Sequence, residues 1–341
     1  MAIPIVSGWL RKIKKFNRWT AKYIKSHAGG KQHSKCSYYL TFFWAYFVKH
    51  IGLDELGYYH YIDLSPEERK HLVPRRENLR FIRAVNNVTD TSVLSDKMKC
   101  YAHFKDYYKR DVLAVAPKDV KSKESKDAFV DFVHRHGVII IKPMSECEGK
   151  GVQAIDATRH SEEELRAISE GYTEGYLAEE RVEQSAFMAA IHPESVNTIR
   201  INTVRYGSDV EVLWPSWRVG QGKAVVDNYS AGGISLPIDK DSGTTLCAIS
   251  KNGTHFTTHP DTGVQLVGIQ IPRWDELCGQ VKQMALRLTD VVFVGWDMAL
   301  TDNGWVMIEA NYEPDNKAWQ MTSKQGIRKD FEVMKRRLKV K

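Results

Sequence analysis

Apolar and polar positions alternate most cleanly near the end of the chain. Val292, Val294, Trp296, Met298 and Leu300 take every second position, and Val306, Ile308 and Ala310 do the same after the turn Thr301-Asp302-Asn303-Gly304. Period-two alternation on both sides of an Asp/Asn/Gly turn predicts a β-hairpin with one face toward a core. A three-residue loop of Asp302, Asn303 and Gly304, the glycine left-handed, sets Asp297 opposite Glu309 and puts Asn311 on the same face as Glu309. Three oxygen-bearing side chains then converge on one surface. A hard divalent cation such as magnesium requires such a surface, and a solvated sheet face with scattered polar residues also produces one.

Further strands are predicted over residues 198–206, 210–214, 222–226 and 246–249, with shorter ones over 112–115, 138–142, 152–155 and 176–179. Helices are expected over about 96–109, about 126–135, from near Ser161, and over 274–289. Ser65-Pro66-Glu67-Glu68 is a helix start, with serine as cap and proline at the first helical position. The order implies an α+β protein with a mostly antiparallel sheet in its C-terminal half and a largely helical, aromatic-rich beginning.

Composition adds one asymmetry to an otherwise ordinary soluble chain of 341 residues, 43% hydrophobic and 27% charged. Residues 1–51 contain no acid but ten basic residues, which against a net charge of +7 leaves about −3 for everything from Gly52 onward. A nucleic-acid enzyme would spread its basic charge along a binding face, so nucleic acid is not an expected partner. Trp9, Ile13, Phe16, Thr20 and Tyr23 or Ile24 recur at helical spacing among the lysines and arginines, which describes a basic amphipathic helix. It lies either on an anionic membrane surface or on its own protein with its charged side in water. No run reaches the ~20 apolar residues of a membrane span, and no apolar core of a secretory leader is evident. Cys36, Cys100, Cys147, Cys247 and Cys278 are odd in number and nowhere spaced as C-x-x-C, so neither a disulfide framework nor a zinc site is indicated. The expected setting is the cytoplasm, with peripheral contact at the inner membrane face as an additional expectation.

Several residues suit a nucleotide. Lys142 ends the apolar run Val138-Ile139-Ile140-Ile141, where a lysine is costly unless its ammonium reaches an anion. Pro143 and the loop from Ser145 through Gly149 to Gly151 follow, able to present backbone N–H groups to phosphates or to serve simply as a hairpin connection. The loop is not G-x-x-x-x-G-K-[ST], which disfavours a P-loop. Thr198, Arg200 and Asn202 share one strand face, and Arg200 can steady a phosphoryl group or pair with a nearby carboxylate. Asn228 to Gly233 forms a second glycine-rich element.

Together these segments resemble the ATP-grasp superfamily, most closely its sugar-transfer-associated branch, related to amino-acid and peptide ligases. The resemblance rests on Tyr61 to Arg69, Asp96-Lys97, Lys142-Pro143 with its glycine loop, Leu177 to Val182, Val196 to Arg200, Asn228 with Gly232-Gly233, and Gly295-Trp296-Asp297 through Ile308 to Asn311. It implies two β-rich subdomains clasping a nucleotide after a mostly helical N-terminal region. Expected segments are 1–85, helical and basic; 86–183, the central subdomain with the glycine loop; and 184–341, the C-terminal subdomain with the metal site. It implies ATP as cosubstrate, bound by Lys97, Lys142 and the loop of Ser145, Gly149 and Gly151. Glu180 to Val182 would hold adenine through backbone groups, Glu183 the ribose, and Asn228 further contacts. Magnesium would be held by Asp297, Glu309 and Asn311, with Arg200 and Lys142 acting on the transferred phosphoryl group.

The implied reaction is carboxylate–amine ligation through an acyl phosphate, with small-molecule or glycan carboxylates and amines as substrates in polysaccharide or glycoconjugate biosynthesis. Two rivals stand beside it: a kinase acting on a sugar or polyol hydroxyl, and a non-catalytic membrane- or nucleic-acid-binding protein. The reaction needs no Ser-His-Asp or Cys-His arrangement, and His134, His136 and His192 read as structural or surface residues.

Overall fold

The computed structural model describes residues 4–26, 33–90, 92–144, 151–224, 227, 229, 232–323 and 326–340. The chain divides into two compact units, one of Met1–Val85, Lys251–Thr254 and Asp315–Lys341, the other of Asn86–Ser250 and His255–Pro314.

The first unit begins with α1 (Pro4–Ser26), α2 (Lys35–Phe43) running into a π-helical turn (Trp44–Val48), α3 (Leu53–Tyr58), α4 (Pro66–His71) and α5 (Arg75–Val85). Its core is aromatic: Phe16 of α1 and Phe42 of α2 are buried with Leu56, Tyr59 and Tyr61. α4 starts as the sequence predicts. The Ser65 hydroxyl accepts from Glu68 N, and the Glu68 carboxylate accepts from Ser65 N, a reciprocal capping box.

The second unit holds α6 (Lys97–Tyr108), β1 (Val112–Val115), α7 (Lys123–His136), β2 (Val138–Pro143), β3 (Gln153–Asp156), α8 (Glu162–Glu170), β4 (Tyr176–Glu180) and α9 (Ala186–Ala189). Then follow β5 (Thr198–Tyr206), β6 (Asp209–Val219), β7 (Ile234–Pro237), β8 (Ala248–Ser250), β9 (His255–Phe256), α10 (Trp274–Leu286), β10 (Phe293–Thr301) and β11 (Gly304–Asn311). Two antiparallel sheets result, one ordered β1-β4-β2-β3, the other β11-β10-β5-β6-β7-β8-β9. Ile139 and Ile141 of the small sheet pack on Phe129, Val130 and Val133 of α7 and Leu165 of α8. The large sheet turns Ile199, Ile201, Trp217, Leu236, Trp296 and Met298 toward α6 and α10. Each sheet therefore has one face packed on helices and an opposite face that carries polar and charged residues. The remaining helices, α11 (Lys317–Ser323) and α12 (Arg328–Arg337), belong to the first unit, where the Gln320 amide bonds Val73 N and O and Phe331 packs on Phe81.

Three expectations are corrected. Thr301 pairs with Gly304, so the hairpin loop has two residues, Asp302 and Asn303, not three. A bulge between Asp297 and Met298 recovers the missing step, and Asp297 still faces Glu309. In consequence Trp305 and Met307, not Val306 and Ile308, face the core with Leu300 and Met298. Strand β6 does not end at Trp214. Trp214 takes a left-handed φ of 48° and, with Pro215, bulges opposite Ile201, after which pairing resumes and runs to Val219. The strand expected over residues 222–226 is absent at 222–224, where Gly222 sits in a turn at φ 64°; Val225 and Val226 lie outside the described residues.

Candidate functional site

The face of the large sheet opposite its helices carries a charged row built by strand register. Glu309 on β11 lies opposite Asp297 on β10, Asp297 opposite Arg200 on β5, and Arg200 opposite Ser216 on β6. One step along, Arg218 on β6 pairs with Thr198 on β5, and on the other side Asn311 pairs with Gly295, which pairs with Asn202. Alternation makes these side chains share a face while Ile199, Trp217 and Trp296 take the core.

Asp297 is the hub. Arg200 donates from Nε to Oδ1 and from Nη2 to Oδ2 at 2.8 Å, and Arg218 Nη2 lies 2.9 Å from Oδ2. Burial would raise the Asp297 carboxyl, but Arg200 and then Arg218 overcome it and hold it below the ordinary carboxylate range. Arg218 also bonds Thr198 Oγ1 at 2.7 Å, and Asp227 Oδ2 accepts from Thr198 N at 2.8 Å. Burial dominates at Asp227 and pushes its carboxyl up in spite of Arg218. Glu309 is pushed up as well, by burial first and then by the negative Asp297, while Lys142, Arg200 and Arg218 pull it down. The residue also reaches solvent. Gly295 is required beside this row: a Cβ there would stand 2.7 Å from Pro314 Cβ and 3.1 Å from Asn202 Oδ1.

A second cluster lies on the face of the small sheet opposite its helices. Glu179 of β4 is buried and receives Arg110 Nη2 at 2.6 Å and Lys142 Nζ at 2.9 Å. Lys142 sits diagonally across the β2–β4 ladder from Glu179, since Ile140 is the residue opposite it. The anion that Lys142 needs is thus a protein carboxylate in this structure. Burial would raise Glu179, and Arg110 with Lys142 brings it below the usual range instead. Arg110 also donates from Nη1 to Met307 O at 2.6 Å on β11, linking the two sheets. Lys142 acts electrostatically on Glu309, so the clusters form one charged neighbourhood.

The remaining expected residues surround it. Lys97, the first residue of α6, donates to Pro143 O at 2.6 Å and Met144 O at 3.3 Å. Gly151, at φ 70°, offers its carbonyl to Tyr172 Oη at 2.8 Å and packs on Pro143. Glu180 ends β4, its carboxylate accepting from Asp111 N at 3.1 Å; Val182 and exposed Glu183 follow in irregular chain. Ser145, Gly149 and Asn228 lie outside the described residues. His192 is structural: it is buried between Ser195 Oγ at 2.9 Å and Gly222 O at 3.1 Å.

The donor set suits magnesium. Two carboxylates stand directly opposite each other with an asparagine on the next rung, and the Glu309 carboxyl is raised by burial first and by negative Asp297 second, the second of which a shared cation would relieve. Among the described residues no group of three or more His, Cys, Asp or Glu could hold a metal ion. Sequence reasoning missed Arg110, Glu179, Arg218 and Asp227. Glu179 was legible in part, as an acid within the apolar run Tyr176-Leu177-Ala178.

A profile described as sugar-transfer associated ATP-grasp matches residues 76–336. A search of curated proteins found no match. Similar solved structures include D-alanyl-alanine synthetase A from Vibrio cholerae, with 13% identity over 73% of this chain and 65% of that one and a TM-score of 0.46. N5-carboxyaminoimidazole synthetase from Staphylococcus aureus complexed with ADP has 11% identity over 72% of this chain and 52% of that one, TM-score 0.42. D-Alanine-D-alanine ligase from Helicobacter pylori has 14% identity over 71% and 60%, TM-score 0.41. The chain thus spans less than two thirds of the length of each of these structures.

Proposed function

The chain belongs to the sugar-transfer-associated ATP-grasp family, with the α+β fold of that superfamily, and from that premise we propose that it is an ADP-forming carboxylate–amine ligase. The observation that carries this reading is the single charged neighbourhood in which facing Asp297 and Glu309 stand among Arg200, Arg218 and Lys142. Glycan or other small-molecule acids and amines of polysaccharide or glycoconjugate assembly are the proposed substrates, in keeping with the family's description.

In the proposed reaction a substrate carboxylate oxygen bonds to the γ-phosphorus of ATP as the bond to the bridging oxygen breaks, giving an acyl phosphate and ADP. An amine then bonds to the acyl carbon, phosphate leaves, and the amine gives up a proton to the phosphate or solvent. Magnesium, held by Asp297, Glu309 and Asn311, would neutralise phosphate charge. Arg200 would orient the transferred phosphoryl group through its planar fork, and Lys142 would exchange part of its hold on Glu179 for phosphate oxygens. Lys97 would brace the loop entrance through Pro143 O and Met144 O while adding positive charge. Catalysis on this reading is positioning and charge neutralisation, with no protein nucleophile.

Incubation with ATP, magnesium, a panel of carboxylates and hydroxylamine tests it. A hydroxamate formed with ADP supports the acyl phosphate. A stable phosphomonoester on a sugar or polyol makes the protein a kinase, and no ATP turnover with any acceptor removes the enzymatic reading.

A further inference from the structure

The first unit leaves a set of large apolar side chains in water. Trp9 and Leu10 of α1 are 54% and 52% exposed, and Leu40, Phe43, Trp44 and Val48 of α2 and its π-helical turn are exposed too, Leu40 by 67%. Leu40, Trp44 and Val48 follow one another at four-residue spacing and so line one side, with Phe43 and Phe47 beside them. The Phe43 and Phe47 rings are 4.6 Å apart, and Phe47 lies 6.0 Å from Trp9. Two helices therefore build one patch. Phe16, buried beneath, packs edge-on against both Phe43 and Phe47 and fixes α1 to it. Isolated exposed hydrophobes are ordinary on a soluble surface, whereas a contiguous aromatic and aliphatic patch marks an interaction site.

The charge carried by the helices that build this patch has one sign. Arg11, Lys14, Lys15 and Arg18 of α1 are exposed, as are Lys35 and Lys49, and the first acidic residue of the chain is Asp54. Lys14 stands one turn from Leu10, and Lys49 Nζ lies 4.9 Å from the centre of the Trp44 ring.

We propose that this surface docks on an anionic phospholipid bilayer, Trp9, Leu10, Leu40, Phe43, Trp44 and Val48 entering the headgroup boundary while the lysines and arginines meet lipid phosphates. A second copy of the chain would bring the same positive charge and be repelled. A nucleic acid would satisfy the cations but leave Leu10, Leu40 and Val48 in water. No helix among the described residues is long and apolar enough to cross a membrane, so the attachment is peripheral. The inference is independent of the ligase reading.

Co-sedimentation of the full chain with phosphatidylcholine vesicles, with and without phosphatidylserine, tests it. Binding is expected on the anionic vesicles alone and should weaken with added salt. The triple variant Lys14→Gln, Lys15→Gln, Arg18→Gln should lose roughly a hundredfold in affinity. Leu40→Asn with Trp44→Ser should lose on the order of tenfold or more, with unchanged thermal unfolding because both side chains are exposed. Absence of vesicle binding, or binding indifferent to both variants, overturns the proposal. So does self-association without lipid that Leu40→Asn with Trp44→Ser abolishes, or salt-sensitive binding to nucleic acid without vesicle binding.

Discussion

Arg200 and Asp297 face each other on neighbouring strands β5 and β10, and the guanidinium engages both carboxylate oxygens while Arg218 adds a bond of 2.9 Å to one of them. The residue expected to hold a metal and the residue expected to hold a phosphoryl group are thus bound to one another. Ligands that separate the pair must supply a cation to Asp297 and an anion to Arg200 together, which is the charge pattern of a magnesium–phosphate substrate.

Asp297→Asn should leave the Arg200 guanidinium, its side chain only 19% exposed, without its bidentate anion, and leave Arg218, 15% exposed, to the more distant Asp227 at 3.7 Å. Breaking a buried pair from one side costs about 3–5 kcal/mol, so the variant should unfold at clearly lower urea concentration and show no ATP turnover. Unaltered denaturation would mean that the three charges do not support one another.

Glu309→Gln should behave differently. Its carboxyl is raised in the folded protein, so its contribution to stability is present below the unfolded carboxylate range and is lost as pH rises through the folded value. At neutral pH the ionised group costs stability, and the glutamine variant should melt at or slightly above the wild-type temperature while losing ATP turnover. The melting difference should vanish below about pH 4. Wild-type turnover in this variant would refute the metal assignment.

Glu179 has the opposite sign. Arg110 and Lys142 hold it below the ordinary range, so its stabilisation is present above the unfolded carboxylate range and is lost as pH falls through the folded value. Glu179→Gln should be destabilised by about 3–5 kcal/mol at pH 7 and should lose part of the wild type's acid sensitivity, followed by circular dichroism against pH. An acid-unfolding profile parallel to wild type would contradict this.

Gly295→Ala tests the close approach of backbone to the charged row. The new methyl must displace Pro314 or the Asn202 amide, at 2.7 and 3.1 Å, and should cost about 1–3 kcal/mol with a loss of activity out of proportion to unfolding. Calorimetry and ATPase assay on the same sample separate the two effects.

What could be read from the chain depended on local periodicity. The opposition of Asp297 and Glu309 was legible because alternation persists through β10, although a two-residue loop plus a bulge achieves what a three-residue loop was expected to do. Arg218 was not legible. The sequence reading stops the strand at Trp214, ahead of Pro215, and only the left-handed bulge there carries β6 on to set Arg218 beside Asp297. Arg110 lies just before β1 and meets Glu179, 69 residues away in sequence, through sheet order alone. That Lys142 needs an anion follows from its place at the end of an apolar run, but which anion it meets depends on the β2–β4 register. The fold class and the start of α4 follow from capping and pattern, which are properties of neighbouring residues.

Titration calorimetry of wild type and Glu309→Gln with ADP, with and without magnesium, shows whether nucleotide and divalent ion bind together at Asp297 and Glu309. Magnesium-dependent binding is expected in wild type, and loss of that dependence in the variant. Equal binding by both proteins, indifferent to magnesium, would mean that Asp297 and Glu309 do not hold the ion with the nucleotide.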